Sequence, residues 1–285
     1  MGAVFVTGAT GTVGSAVVEH LLQLGQPVIA GIRDPQDAGD VPDAATTRAF
    51  SFDDTPAVIG ESLEGADRLF LMRPPAIADV QDKLFPVIDA ALRCGIRQIA
   101  FLSLQGVQAN RKTPHHAVER YLRDTGSPFT FLRPNFFMQN LSTTYAGPIR
   151  QRGEIFVPAG RSRTAFIDAR DVGRAAAVTL TQPGHIGKAY TLSGEQSLSY
   201  RNVADIMTEV LGRRIRYTRP SEDGYLGQLA ADGAAADYIA VQKMIHKVVR
   251  LNVSAFPNHS IRKLTGQPAT TLRQFVADYA DAWES

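Results

Sequence analysis

A short apolar strand that runs into three spaced glycines and then into a helical pattern leaves few folds open to a chain. Residues 4–14 read Val-Phe-Val-Thr-Gly-Ala-Thr-Gly-Thr-Val-Gly, with the glycines at Gly8, Gly11 and Gly14. The pyrophosphate of a dinucleotide needs hydrogen-bond donors for its two negative charges. A strand that ends at a helix N-terminus offers free backbone N–H groups and the positive end of the helix dipole. Glycines allow the tight turn, let the backbone approach the phosphates, and let helix and strand pack closely. The segment Thr7, Gly8, Thr10, Gly11, Thr12, Val13 and Gly14 is therefore expected to cradle a dinucleotide.

The pattern beyond the loop supports this. Apolar runs over Ala3–Thr7, Pro27–Ile32, Thr47–Phe52, Arg68–Met72, Gln98–Ser103 and Phe129–Leu132 alternate with amphipathic segments near 12–24, 55–63, 78–94 and 114–125. This order predicts an α/β fold, a doubly wound parallel sheet with helices on both faces. Ligands of such sheets bind beyond the strand C-termini. After residue 135 the rhythm loosens. A strand pair is expected over Arg150–Pro158, a short strand over Ala165–Asp168, a helix over 170–181 and a strand over Lys188–Ser193. Helices follow over 200–211, 234–250 and 271–283, and Ala230–Ala236 reads as a loop. The expected division is a cofactor-binding domain over 1–145 and a smaller substrate-binding region over 146–285, the two interleaved around 164–195.

Composition narrows the class. A formal net charge of +2 gives no basic field for nucleic acid. The most basic stretch, from Arg201 to Arg219, is expected to be a solvated face. With a single cysteine, Cys94, no internal disulfide forms, and a reducing cytoplasm fits. The first strand opens near residue 3, which leaves no room for a signal peptide, and no apolar run approaches the roughly 18 residues of a membrane span. No metal site is expected. The oligomeric state cannot be read.

The strand ends nominate cofactor contacts. The second strand ends Ala30-Gly31-Ile32-Arg33-Asp34. An acidic side chain here would hold the ribose hydroxyls of NAD, whereas a guanidinium pairs with the 2′-phosphate of NADP. Arg33 comes first and favours NADP(H). If Asp34 takes the ribose position instead, NAD(H) is tolerated as a weaker ligand. Asp53, or equally Asp54, follows the third strand and is placed to accept from the adenine amino group. Met72, Arg73 and Pro74 follow the fourth strand and Ser103 the fifth. Pro134, Asn135 and Phe136 follow the sixth, where a nicotinamide ring would lie.

Three blocks resemble one family. Thr7–Gly14 is similar to the fingerprint of extended and atypical short-chain dehydrogenases. Leu132-Arg133-Pro134-Asn135-Phe136-Phe137-Met138-Gln139-Asn140 resembles the segment after the sixth strand in NmrA-like proteins, and Phe166–Val172 resembles a third shared block. The resemblance implies a Rossmann-type sheet with a smaller C-terminal α/β substrate region, in a group that holds NADP-sensing regulators, a quinone reductase and triphenylmethane dye reductases. One departure stands out. The Tyr-x-x-x-Lys pair of ordinary short-chain dehydrogenases is missing, and Arg111 and His115 take its positions. Thr113 is placed to N-cap the helix that Pro114 opens, so His115 lies in the first turn, where the dipole disfavours a protonated ring. A neutral imidazole still donates one hydrogen bond, to a nicotinamide ribose or a substrate carbonyl. Glu119, one turn on, either orients His115 or pairs with Arg123. His115 and Asn140 are thus the catalytic candidates, and Phe137 and Tyr145 the substrate contacts. The expected activity is NADPH-dependent reduction of a quinone-like or other conjugated small molecule. The alternative is a non-catalytic NADP(H)-binding redox sensor.

Overall fold

Seven parallel strands organise the first of two compact units. Residues up to Pro134, with Ala169–Leu192 and Ser260–Gln267, make this unit; Asn135–Asp168, Ser193–His259 and Pro268 onward make the second. The computed structural model describes residues 2–284. The strands are β1 (Ala3–Val6), β2 (Val28–Ile32), β3 (Thr46–Ala49), β4 (Ala66–Met72), β5 (Gln98–Leu102), β6 (Phe129–Pro134) and a seventh, Lys188–Leu192. Their order is β3-β2-β1-β4-β5-β6 with the seventh strand at the edge. The order reverses between β1 and β4, and ligands of open α/β sheets bind outside such a switch point. Register brings the strand ends level: Val6 pairs with both Ala30 and Phe70, and Leu102 with both Met72 and Leu132.

Alternate strand residues face one way, as the two-residue period requires. Phe5, Leu69, Leu71, Ile99, Phe101 and Phe131 bury themselves against helices α2 (Pro56–Ser62), α4 (Phe85–Arg93) and α5 (Pro114–Asp124), with α3 (Val80–Lys83) leading into α4. Helix α1 (Thr12–Gln23) packs against the Ala-rich helix Ala169–Thr181, and Gly173 sits so close that a Cβ there would lie 2.6 Å from Ala16. Buried polar groups fix the end of the Ala-rich helix. Arg68 donates to the Leu180 carbonyl (2.7 Å) and Gln98 to the Thr179 carbonyl (2.8 Å), filling orphan acceptors of the last turn.

The second unit has its own core, in which Tyr145, Ile149, Tyr200, Val203, Phe275 and Trp283 pack together. The Trp283 indole donates to the Leu141 carbonyl at 2.8 Å. Here the structure departs from expectation. Residues Ala146–Arg152 form a helix rather than half of a strand pair, and Gly153 ends it in the left-handed conformation (φ 63°). Only Glu154–Ile155 is extended, and it pairs in parallel with the distant Arg216–Tyr217. The strand expected over Ala165–Asp168 lies earlier, at Arg163–Thr164, antiparallel to Leu198–Ser199. The expected loop is shorter than Ala230–Ala236: a helix over Glu222–Ala231 takes its first two residues, the next helix, Ala236–Arg250, starts at Ala236, and residues 232–235 connect them. The last segment divides into the helix Leu272–Asp278 and a 3₁₀ turn, Ala280–Trp283.

His246 lies inside this second core, and neither ring nitrogen has a hydrogen-bond partner among the described residues. Its ring meets that of Tyr225 edge-on at 5.0 Å. Burial, helped by the Arg250 charge and opposed by Glu222, pushes its pKa down to about 4. Folding therefore favours the neutral ring. The stabilisation is complete above the unfolded value near 6.5 and is lost as pH falls towards 4. We expect about 2 kcal/mol of stability to disappear at pH 5 on account of this residue. Urea unfolding at pH 7 and pH 5 checks it: the drop should be smaller in His246→Leu than in wild type.

Candidate functional site

The glycine loop has the shape that the sequence demands. Gly8 adopts φ +63°, which favours glycine, and a Cβ there would lie 2.6 Å from the Met72 sulfur. Its carbonyl accepts from the Gly11 N–H at 2.9 Å. Gly14 has no room for any side chain, because a Cβ would sit 2.0 Å from the Gly8 carbonyl oxygen. Gly11 caps α1 without a side-chain hydrogen bond, and the first turn carries no acidic residue. The N–H groups of Thr12, Val13 and Gly14 consequently have no protein acceptor among the described residues. Three open donors and a bare helix terminus form a seat for an anion. Thr10 and Thr12 are exposed beside it and Val13 is buried under it.

Thr7 has a different role from a ligand contact. Its buried hydroxyl donates to the Phe70 carbonyl (3.1 Å) and accepts from the Met72 N–H (3.0 Å), clasping β1 to β4 at the switch point. At the end of β2 the two candidates separate. Asp34 caps the following 3₁₀ turn, accepting from the Gln36 N–H at 2.9 Å. Arg33 is exposed and has no hydrogen-bond or ion-pair partner among the described residues. The charge left open at this strand end is thus positive. Asp53 is engaged by Lys83 at 2.5 Å, and Asp54 accepts from the Ser51 N–H at 2.8 Å.

Beyond β4, the Arg73 guanidinium holds its own turn together. One terminal nitrogen donates to the carbonyls of Pro74 (3.1 Å), Pro75 (3.1 Å) and Ile77 (2.5 Å), while the buried Nε has no partner among the described residues. Arg73 is thus mainly a scaffold for the Pro74-Pro75 turn, and its charge also reaches His115.

Helix α5 carries the catalytic candidate. Thr113 caps it, accepting from the His116 N–H at 3.2 Å, and Pro114 occupies the first turn. His116 Nδ1 lies 3.2 Å from the Val107 carbonyl, so it donates there and is structural. The His115 ring lies beside Phe101 (6.1 Å between centroids) and has no hydrogen-bond partner among the described residues. Burial first, then the charge of Arg73, pushes its pKa down to about 4, against the pull of Glu119. His115 is a neutral donor at neutral pH. Tyr121, in the same helix, donates to Asp89 at 2.7 Å and stacks on Phe85.

Glu119 is the residue whose importance the sequence concealed. It is buried and accepts from Ser103 Oγ (2.7 Å), Arg133 Nε (2.8 Å), Arg133 Nη2 (2.6 Å) and Arg123 Nη2 (3.2 Å). Burial raises its pKa, but the hydrogen bonds from Arg133 and Ser103 outweigh this and hold it below the usual carboxylate range. Ser103, nominated for the cofactor, therefore spends its proton on Glu119. Pro134 ends β6, and its carbonyl accepts from the Gln105 N–H at 3.0 Å.

The remaining nominees belong to the second unit. Asn135 is buried and donates to the Ser254 carbonyl at 2.9 Å, while its Oδ1 accepts from the Phe136 N–H at 2.8 Å. It shapes the chain after β6. Phe136 packs against the second core, and Tyr145 lies within it, its phenol pKa raised well above normal by burial. Phe137 bridges to Ile167 and is half-buried. Asn140 is half-buried, and its side-chain amide has no partner among the described residues. Among the described residues, no cluster of His, Cys, Asp or Glu has the makings of a metal site, and no helix is long and apolar enough to cross a membrane.

Comparison with known proteins places this geometry. A model of the NmrA-like family matches residues 2–275. An NAD(P)H azoreductase of Xenophilus azovorans is 30% identical, across 98% of this chain and 99% of the relative. The crystal structure of an NADPH-dependent quinone oxidoreductase from Escherichia coli, complexed with NADPH, superposes with a TM-score of 0.87 at 26% identity, covering 96% of this chain and 99% of that one. A triphenylmethane reductase from Citrobacter, complexed with NADP(H), gives a TM-score of 0.86 over 97% of this chain and 99% of that one; at 23% identity it speaks for the fold alone.

Removing Glu119 should expose its role. Glu119→Ala leaves Arg133 buried without a counter-charge, and we expect a loss of about 3–5 kcal/mol. Glu119→Gln keeps an acceptor and should lose less. The carboxylate's contribution is present above the unfolded pKa near 4.5 and declines as pH falls through the lower folded value. Urea unfolding of both variants at pH 7 measures the difference.

Proposed function

The chain belongs to the NmrA-like family, and from that premise we propose that it is an NADPH-dependent reductase whose acceptor is a quinone-like or other conjugated small molecule. The observation that carries the cofactor assignment is the uncapped start of α1, with open amides over a Gly8–Gly14 contact too tight for any side chain. Bound NADPH supplies a hydride; the protein's part is to bind, orient and screen. The amides of Thr12, Val13 and Gly14 hold the pyrophosphate. Arg33, whose acidic neighbour is committed to capping, meets the 2′-phosphate.

The finer claim, a conjugated acceptor, rests on acid–base chemistry. With a pKa near 4, His115 is no strong proton donor at neutral pH, and Tyr121 is tied to Asp89. A quinone or azo compound accepts hydride and takes its proton from water, so a neutral hydrogen-bond donor suffices. His115 fills that role. To Asn140, with its open amide, and to Phe137 we assign contact with the acceptor. The names of the azoreductase and the quinone oxidoreductase are consistent with this class of acceptor.

NADPH consumption with a panel of quinones and azo dyes tests the reading; tight NADPH binding without any turnover would establish a redox sensor instead. Cofactor choice gives a separate measure. A charge-assisted contact contributes about 1.5–3 kcal/mol, so NADPH should bind at least about tenfold more tightly than NADH. Arg33→Ala should erase the difference in a titration with both cofactors.

His115→Ala should lower kcat/KM by roughly ten- to a hundredfold, the value of one positioned hydrogen bond. Because the ring is neutral above pH 4, no step in the wild-type pH–rate profile near 6.5 should arise from it. Steady-state kinetics between pH 5 and 8 checks both statements.

A further inference from the structure

The second unit contains a cleft of about 990 Å³ whose lining is dominated by arginine: Arg161, Arg163, Arg201, Arg214, Arg216 and Arg219. Three separate stretches of chain assemble it. The antiparallel pairing of Arg163–Thr164 with Leu198–Ser199 brings the first stretch to the second, and the β-pairing of Arg216–Tyr217 with Glu154–Ile155 fixes the third. Across the unit as a whole, thirteen Lys and Arg face twelve Asp and Glu. Six of the thirteen line this one cleft, with only Asp205 and Glu209 as acidic companions.

Few of these charges are neutralised. Arg216 pairs with Glu154 at 2.5 Å, and Arg163 donates to the Ser197 carbonyl, which is neutral. Glu209 is itself taken by Arg273. Arg161, Arg201, Arg214 and Arg219 make no ion pair with a carboxylate among the described residues. The helix Tyr200–Leu211 also begins here, at Ser199, and its dipole adds field of the same sign. Gathering like charges is unfavourable, and an anion relieves it. Guanidinium forks match phosphate oxygens two at a time.

We propose that this cleft binds a small organic polyphosphate, at a site built from none of the glycine loop's residues. Four open guanidiniums call for several negative charges in a small volume. A di- or triphosphate group concentrates them, whereas isolated carboxylates spread them out. A nucleic acid fits less well, since the chain carries a net charge of only +2 and a strand needs an extended basic track.

The test is calorimetric titration with inorganic tripolyphosphate and, separately, inorganic phosphate, at low salt and with the protein saturated with NADPH so that the loop is filled. One tripolyphosphate should bind, at least tenfold more tightly than phosphate. The affinity should fall at least tenfold in Arg201→Gln/Arg214→Gln, with NADPH binding in that variant unchanged as the check on folding. A control at the exposed Arg93 of α4, Arg93→Gln, should behave as wild type. No binding to the NADPH-saturated protein, or equal binding by the double variant, would overturn the site. Tighter binding of a single-stranded oligonucleotide than of tripolyphosphate would overturn the choice of ligand.

Discussion

A buried carboxylate ties β5, β6 and α5 of the first unit together. Glu119 accepts hydrogen bonds from Ser103 at the end of β5, from Arg133 on β6 and from Arg123 on its own helix. Helix α5 carries His115 one turn before Glu119, so this network decides where the imidazole stands. The network also sets the ring's electrostatics. The carboxylate pulls the His115 pKa up, but most of its charge is answered by two arginines, and burial prevails. Where a phenol–ammonium pair is missing, the helix presents an imidazole that burial keeps neutral around neutrality.

The glycine loop depends on a second constraint, the crowding between Gly8 and Gly14. Each glycine is needed for a different reason. Gly8 must turn left-handed beneath Met72, and Gly14 must let the helix come down onto the Gly8 carbonyl. The same approach leaves the first amides of α1 without partners. Tight packing and an open donor set are therefore one property of the loop. Thr7 seals the arrangement from below by tying β1 to β4 where the strand order reverses.

Much of this was legible in the chain. The six strands before residue 135 fall within a few residues of their expected places; β2 and β5, buried along their whole length, are unbroken apolar or nearly apolar runs, whereas the exposed edge strand β3 (Thr46–Ala49) is read from its alternation with the helices. Of the two-residue strands of the second unit, Glu154–Ile155 falls inside the expected strand pair, Arg163–Thr164 lies just before its expected place, and Leu198–Ser199 and Arg216–Tyr217 leave no signal, since so short a stretch carries no period; Gly153, expected within the strand pair, is a helix cap. Arg33 is nominated from its place at a strand end and His115 from the resemblance, and the structure adds that their neighbours Asp34 and His116 are committed elsewhere. Glu119 is legible as a partner of Arg123 one turn on, and that pair forms, but its contacts with Ser103 at the end of β5 and Arg133 on β6 are set by the sheet and leave no mark in the linear pattern. The run from Arg201 to Arg219 read as a solvated face for a similar reason. Nothing linear reveals that Arg161 and Arg163 join it across a cleft.

The first unit is assembled from three separate lengths of chain, and this governs how the protein comes off the ribosome. β1 to β6 emerge together, but the helix Ala169–Thr181 that packs against α1 follows only after an intervening excursion, and the edge strand Lys188–Leu192 later still. Until then the contact surface around Ala16, shaped to receive Gly173, is bare, and β6 is a raw sheet edge. A nascent chain halted near residue 150 would present both to its surroundings. Chaperone demand during synthesis should peak in that window and fall once the Ala-rich helix has been made, and a gene fragment cut at the end of β6 is a poor starting point for transplanting the nucleotide fold into another protein.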